Sequence, residues 1–254
     1  MSPHLRRGLA AFVIYDLRFA IYDLIPCFRP SVMLKGLYVI TDEELSPGRT
    51  HVEIARAALD GGARLIQIRD KNGSDRAFYE AALAIRKLVS EAGALFFVND
   101  RVDIAAAVGA DGANVGQTDL PMSAARAILG PKAIIGVSCD CLEQAIRAEA
   151  EGADYVGYGL VFPTSTKLDA GPVSGLETLR EVCARVALPV VAIGGICASN
   201  IAEVASAGAA CAAVISAIVC ADDMTAATID LIRRFADASG CCADLRVAAP
   251  TRRR

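Results

Sequence analysis

Apolar residues follow two alternating rhythms along this chain. From Gly36 onward, short runs rich in β-branched side chains alternate with longer Ala-rich stretches whose apolar positions return at helical period. The short runs predict strands over Gly36–Thr41, Arg64–Arg69, Leu95–Val98, Gly112–Val115, Ile134–Val137, Tyr155–Tyr158, Val190–Ile193 and Ala212–Ile215. The longer stretches predict helices over His51–Asp60, Asp75–Ala92, Asp103–Val108, Met122–Leu129, Leu142–Glu151, Leu176–Val186, Ser199–Ala207 and Asp223–Ala238. Four helices run into glycine just before the next strand, at Gly61-Gly62, Gly93, Gly152 and Gly208. Glycine there supplies the left-handed conformation that ends a helix and turns the chain back. Eight strands, each followed by a helix, are what a closed (β/α)8 TIM barrel needs, an α/β fold in a single domain. A doubly wound open sheet is the rival, but no Gly-x-Gly-x-x-Gly follows the first strand.

Three segments are expected: an N-terminal extension over residues 1–33, the barrel over 34–239 and a C-terminal tail over 240–254. In the first segment Ile14-Tyr15-Asp16-Leu17 returns as Ile21-Tyr22-Asp23-Leu24. Two copies are too few for a solenoid, so the reading is a poorly structured extension with Met33 as the natural first residue; the rival is a docking helix. Asp16, Arg18 and Asp23 interrupt its apolar stretch, and no run approaches the ~18 apolar residues of a membrane span.

Composition narrows the chemistry. The chain has 254 residues, 54% of them hydrophobic, with a net charge of −3. That hydrophobicity excludes an intrinsically disordered chain, and the lack of a basic excess argues against nucleic-acid binding. His4 and His51 are the only histidines, far from any Ser or Cys cluster, so charge-relay hydrolysis and His-rich zinc sites are poor fits. Nine scattered cysteines, several in apolar runs (Cys183, Cys197, Cys211, Cys220), read as buried free thiols in a reducing cytoplasm. Cys139-x-Cys141 and Cys241-Cys242 lack zinc-ligand spacing.

The unusual polar residues fall at the C-terminal strand ends, where barrels of this kind carry their chemistry. Gln67, Arg69 and Lys71 alternate at the end of the second strand, as a polyphosphate clamp or as a merely solvated strand end. Asp100 and Asp119 follow the third and fourth strands. Two carboxylates beside such a clamp suit Mg²⁺; the alternative for Asp100 is to cap the third helix. Ser138 ends the fifth strand and reads equally as a cap. The long loop after the sixth strand carries Thr164, Thr166 and Lys167, suited to a small phosphorylated substrate. Gly194-Gly195 and Ile215-Ser216 follow the last two strands, where bare backbone N–H groups often meet phosphate. Two phosphate-binding regions suggest two phosphorylated substrates or one substrate with two phosphates, and with no histidine to act as a base, electrostatically stabilised departure of a pyrophosphate leaving group fits.

Taken together, Gln67-x-Arg69-x-Lys71, Val98-Asn99-Asp100, Gly116-Gln117-x-Asp119, Gly136-Val137-Ser138, Pro163-Thr164-x-Thr166-Lys167, Gly194-Gly195-Ile196 and Ile215-Ser216-Ala217-Ile218 resemble the thiamine-phosphate synthase (thiamine-phosphate pyrophosphorylase) family, over about Leu37 to Phe235. The resemblance implies a transferase that joins 4-amino-5-hydroxymethyl-2-methylpyrimidine diphosphate to 4-methyl-5-(2-phosphoethyl)thiazole, releasing pyrophosphate and forming thiamine phosphate. It implies that Gln67, Arg69, Lys71, Asn99 and Lys167 hold the pyrimidine diphosphate, with Ser138 beside them. Lys167, Arg69 and Lys71 are the catalytic candidates. Asp100 and Asp119 would ligate Mg²⁺, and Thr164, Thr166, Gly195, Ile215 and Ser216 would form the thiazole-phosphate site. The implied mechanism is dissociative: pyrophosphate leaves, the aminopyrimidine stabilises a methylene cation, and the thiazole nitrogen captures it.

Three positions depart from the family pattern: Asn114 stands where His is frequent, Gly159-Leu160 where Gly-Pro is frequent, and Asp70 where Glu is frequent. The rival readings are a thiazole tautomerase-like isomerase of the same barrel family, a sugar-phosphate isomerase, and a non-catalytic thiazole-phosphate-binding regulator. The first needs no diphosphate clamp, the second wants an acid/base pair this chain lacks, and the third would not need Lys167 and both carboxylates. A cytoplasmic enzyme with small-molecule substrates and no nucleic-acid or membrane partner is expected; oligomeric state is left open, a homo-oligomer among the options.

Overall fold

The computed structural model describes residues 34–46, 48–164 and 173–240. The expected extension and the tail beyond Gly240 lie outside the described residues, as do Thr166 and Lys167. Eight parallel strands close into a barrel in chain order: β1 (Gly36–Thr41), β2 (Leu65–Ile68), β3 (Leu95–Asn99), β4 (Gly112–Val115), β5 (Ile134–Cys139), β6 (Tyr155–Tyr158), β7 (Val190–Ile193) and β8 (Cys211–Val214). β8 closes on β1 with Gly36 opposite Cys211 and Val39 opposite Val214. Around them lie α1 (His51–Asp60), α2 (Asp75–Ala92), α3 (Val102–Val108), α4 (Met122–Leu129), α5 (Leu142–Ala150), α6 (Gly175–Arg185), α7 (Ile201–Ser206), α8 (Ser216–Val219) and α9 (Met224–Ala238).

The TIM barrel expected from the alternation is therefore present. The helix α8 was not foreseen, because four residues are too few to show a period. Gly62, Gly93, Gly152 and Gly208 all have positive φ, as the turn-back from helix to strand requires.

Period-two alternation divides the strand residues between two cores. Val39, Ile66, Val98 and Ile135 face outward and are wholly buried under the helices. Each such side chain contributes roughly 1.5–3 kcal/mol by leaving water. Tyr38, Leu65, Phe97, Ile134, Tyr155 and Val191 face inward and fill the barrel. Large and small residues alternate there: a Cβ on Gly136 would stand 2.0 Å from the Tyr155 ring.

At the N-terminal end of the barrel one device occurs twice. Asp111 accepts from Arg86 of α2 and from the Phe96 backbone N–H, both through Oδ2. Asp154 accepts likewise from Arg126 of α4 and the Ile135 N–H. These pairs brace helix against strand far from the opposite rim.

The cysteine expectation needs correction. Cys139, Cys141, Cys183, Cys197, Cys211 and Cys220 are free thiols, but only Cys139 and Cys211 are buried; Cys183 and Cys197 are half-buried and Cys220 is exposed. Cys220 lies just past α8, where the chain leaves the apolar layer and its thiol reaches the Leu45 carbonyl. No helix among the described residues is long and apolar enough to cross a membrane.

Candidate active site

The inward-facing parity of each strand continues past its end and delivers side chains to one cavity of about 620 Å³ at the C-terminal rim. Its floor is built from the barrel core. Gln67 Nε2 donates to Tyr38 Oη at 2.9 Å, and the Tyr38 and Tyr155 hydroxyls lie 3.2 Å apart. Burial pushes the Tyr38 phenol well above its ordinary range, so the floor is neutral and polar. Gln67 is thus buried at the floor, while Lys71 reaches the exposed rim.

Arg69 and Lys71 both face the cavity, and each meets a carboxylate. Arg69 Nη1 donates to Asp42 Oδ2 at 2.7 Å, and Lys71 Nζ donates to Asp100 Oδ2. Asp42 was not among the sequence candidates. The signal was available: Tyr38, Ile40 and Asp42 share the inward parity of β1.

Asp100 does not cap the third helix. The N-cap is Arg101, with no side-chain capping bond, and helix α3 begins at Val102 rather than Asp103. Asp100 has φ +59°, the one positive φ of a non-glycine among the described residues, and its carboxylate turns to the cavity. Asp119 also lines the cavity and accepts from the Gly116 N–H at 2.6 Å. Burial raises the Asp100 carboxyl above its ordinary value; the Lys71 ammonium pulls it down and the facing Asp119 pushes it up. Among the described residues no three acidic, His or Cys side chains gather as a metal cage. A divalent ion held here would draw its other oxygen ligands from water and substrate, which is how Mg²⁺ is commonly bound.

Asn99 and Ser138 also line the cavity. Ser138 Oγ accepts from Asn114 Nδ2 at 2.9 Å, and its carbonyl accepts from Gln117 Nε2 at 2.8 Å. Arg147 of α5 donates to Gln117 Oε1 at 2.6 Å, so an outer helix braces the loop that carries Asp119.

Another part of the rim comes from the last strands. Thr164, Gly195, Ile215 and Ser216 line it. Gly194 and Gly195 have φ +103° and +62°, and the Phe162 N–H donates to the Gly194 carbonyl at 3.1 Å. Ser216 opens α8, whose first backbone N–H groups have no intrahelical acceptor. Eleven of the thirteen site candidates therefore line one cavity; Thr166 and Lys167 lie outside the described residues.

A family model described as thiamine monophosphate synthase matches residues 37–218. The chain belongs to this family. It is 53% identical over 161 residues to a thiamine-phosphate synthase of Methanospirillum hungatei, covering 63% of this chain and 78% of the relative. A thiamine-phosphate synthase of Methanoculleus marisnigri is 53% identical over 160 residues, covering 63% and 76%. The solved thiamine phosphate pyrophosphorylase of Pyrococcus furiosus is 47% identical with a TM-score of 0.74, covering 81% of this chain and 98% of that one.

The three departures from the thiamine monophosphate synthase pattern now have positions. Asn114 replaces a ring with an amide that still donates within the site, to Ser138. Asp70 folds back on its own turn, its Oδ1 accepting from the Asn72 and Gly73 N–H groups at 3.0 and 2.8 Å, so it takes no place in the main cavity. The Gly159–Leu160 peptide is cis, and Leu160 lines the cavity.

Proposed function

We propose that this enzyme, a transferase of the thiamine monophosphate synthase family, joins a pyrimidine diphosphate to a thiazole phosphate, forming thiamine phosphate and releasing pyrophosphate. One observation carries the reading. A cationic group, Arg69 and Lys71 after β2, and a glycine-rich group, Gly195 and Ser216 after β7 and β8, line a single cavity. Each group suits one phosphorylated substrate, and the space between them suits the bond that forms.

Roles follow from position. Arg69 and Lys71 bind the diphosphate and stabilise the charge that grows on it as the carbon–oxygen bond breaks; such preorganised charge is worth most when the transition state needs it. Asn99 and Ser138 orient the pyrimidine end, with Gln67 tying it to the neutral floor. Gly195, Ile215, Ser216 and Thr164 hold the thiazole phosphate, so that its nitrogen approaches the carbon that the diphosphate leaves. Lys167, placed with the diphosphate by family resemblance, adds a third cation. The paired carboxylates Asp100 and Asp119 fit Mg²⁺: they are hard oxygen donors, and without a cation between them Asp119 raises the cost of ionising Asp100. Bound there, the ion would neutralise diphosphate charge. The free thiols fit a cytoplasmic setting.

The test is incubation of the purified chain with both substrates and Mg²⁺, following pyrophosphate and thiamine phosphate together. Equimolar release, dependent on both substrates, is expected. Turnover of a thiazole phosphate alone, without pyrophosphate, would replace this reading with the isomerase one.

A further inference from the structure

The Asp42 carboxylate stands behind the diphosphate side of the cavity and touches none of it. It follows β1 directly and is almost fully buried, at 4% exposure. Both of its oxygens are engaged: Oδ1 accepts from the Leu45 backbone N–H at 3.2 Å, and Oδ2 accepts from Arg69 Nη1 at 2.7 Å. Pinned by the backbone on one side, it cannot follow Arg69 if that side chain moves. A guanidinium carries five N–H donors in a fixed plane, so one anchored nitrogen sets the direction of the rest.

Arg69 also borders a second, smaller cavity of about 190 Å³. Glu43, Glu44 and Asp70 line it, with His51 beside them. These carboxylates are engaged by other donors: Glu43 Oε1 accepts from the His51 N–H, Glu44 Oε1 from Asn72 Nδ2, and Asp70 Oδ1 from the Asn72 and Gly73 N–H groups. Asp42 lines the small cavity with them and is the carboxylate that accepts from Arg69, which borders both cavities.

We propose that Asp42 is the positioning residue of the diphosphate clamp: by fixing Nη1 it sets the orientation of the Arg69 guanidinium where that side chain borders the main cavity. The proposal rests on the reading of Arg69 as a diphosphate ligand. It makes a forecast opposite to that of simple electrostatics. Removing a negative charge beside an anion site raises the local potential and by itself tightens anion binding. Loss of an orienting partner weakens it.

Inorganic pyrophosphate, titrated by calorimetry in the presence of Mg²⁺, is the probe. Asp42→Asn keeps the volume and an acceptor for the Leu45 N–H. It is expected to weaken pyrophosphate about tenfold, the scale of one charge-assisted hydrogen bond. Arg69→Met alone and Asp42→Asn/Arg69→Met together are expected to agree within about twofold, because Asp42 acts only through Arg69. Thiazole-phosphate affinity, read on the rim after β7 and β8, should stay unchanged in Asp42→Asn; a general structural loss would lower both. Pyrophosphate binding as tight as in the parent chain or tighter, or a double variant clearly weaker than Arg69→Met, would overturn the proposal. If Asp42→Asn does not fold, Asp42→Ser, whose hydroxyl can still accept from the Leu45 N–H, carries the same comparisons. Because the probe is pyrophosphate itself, a chain that makes no thiamine phosphate yet shows this pattern refutes the synthase reading and leaves the role of Asp42 standing.

Discussion

Gly195 and Pro163 pack so closely that a Cβ on Gly195 would stand 2.4 Å from the Pro163 carbonyl oxygen. The loop after β6 and the loop after β7 are thereby set by one missing side chain. The Asn200 side-chain amide adds a second constraint, donating to the Gly195 carbonyl at 2.9 Å.

Gly195→Ala should therefore displace the loop that carries Thr164. Overpacking of this kind costs about 1–3 kcal/mol, and the φ of +62° adds strain for any residue with a Cβ. The expected outcome is a lower melting temperature with thiazole-phosphate affinity reduced more than pyrophosphate affinity. Equal loss of both would show that the glycine serves the whole rim.

Asp100→Asn and Asp119→Asn should each make turnover depend on much higher Mg²⁺. Two residues that hold one ion act as a unit, so the double variant should be little worse than the poorer single. A magnesium titration of pyrophosphate release checks this. An unaltered requirement in both singles would place the ion elsewhere.

The backbone at Asp100 makes a separate forecast. With φ +59° it favours Asn or Gly, while a β-branched residue is strained by about 1–2 kcal/mol. In urea denaturation, Asp100→Gly should remain close to the parent chain and Asp100→Val should fall below it. A helix cap would rank Val with Ala, both about 1 kcal/mol below the parent, whereas the positive φ should place Asp100→Val clearly below Asp100→Ala as well.

His51 should set part of the acid sensitivity. Its Nδ1 lies 2.8 Å from Thr41 Oγ1. Burial holds the imidazole below its ordinary value, against the pull of Glu43, Asp70 and Asp42. The unfolded chain thus binds a proton that the folded chain resists, and stability falls as pH drops through about 6.5 toward the lower folded value. Thermal melts between about pH 7 and about pH 5 should show this loss, and His51→Gln should flatten it. A variant with the parent's slope would assign the sensitivity to the carboxylates.

Lys167→Ala should lower kcat more than it raises the KM for thiazole phosphate. An ammonium beside the departing diphosphate meets charge that develops only in the transition state. A raised KM with unchanged kcat would move Lys167 to the thiazole side.

Much of the fold was legible because its signals are local. The residues of β1, β4, β6 and β7 match the runs of apolar positions to the residue, since strand and helix period record which side chains face water. Glycine at Gly62, Gly93, Gly152 and Gly208 marked the turns for the same reason: a positive φ is a property of one residue. Most of the cavity was legible too, since barrel geometry sends every strand end to one rim and Arg69, Lys71, Asp100 and Asp119 stood at those ends.

Partner choice was not legible. Asp42 lies 27 residues before Arg69, and the Tyr38 and Tyr155 hydroxyls meet across 117 residues. Parity marks Asp42 as inward-facing, but nothing local pairs it with Arg69 or shows that Asp100 meets Lys71 instead of capping α3. Those choices depend on how the strands tilt and close, and on which carboxylate is buried deeply enough to require a cation. The sequence by itself determined the elements, the barrel and the rim; only the closed barrel decided which charge meets which, because the cost of burying a charge is defined by the whole packed surroundings.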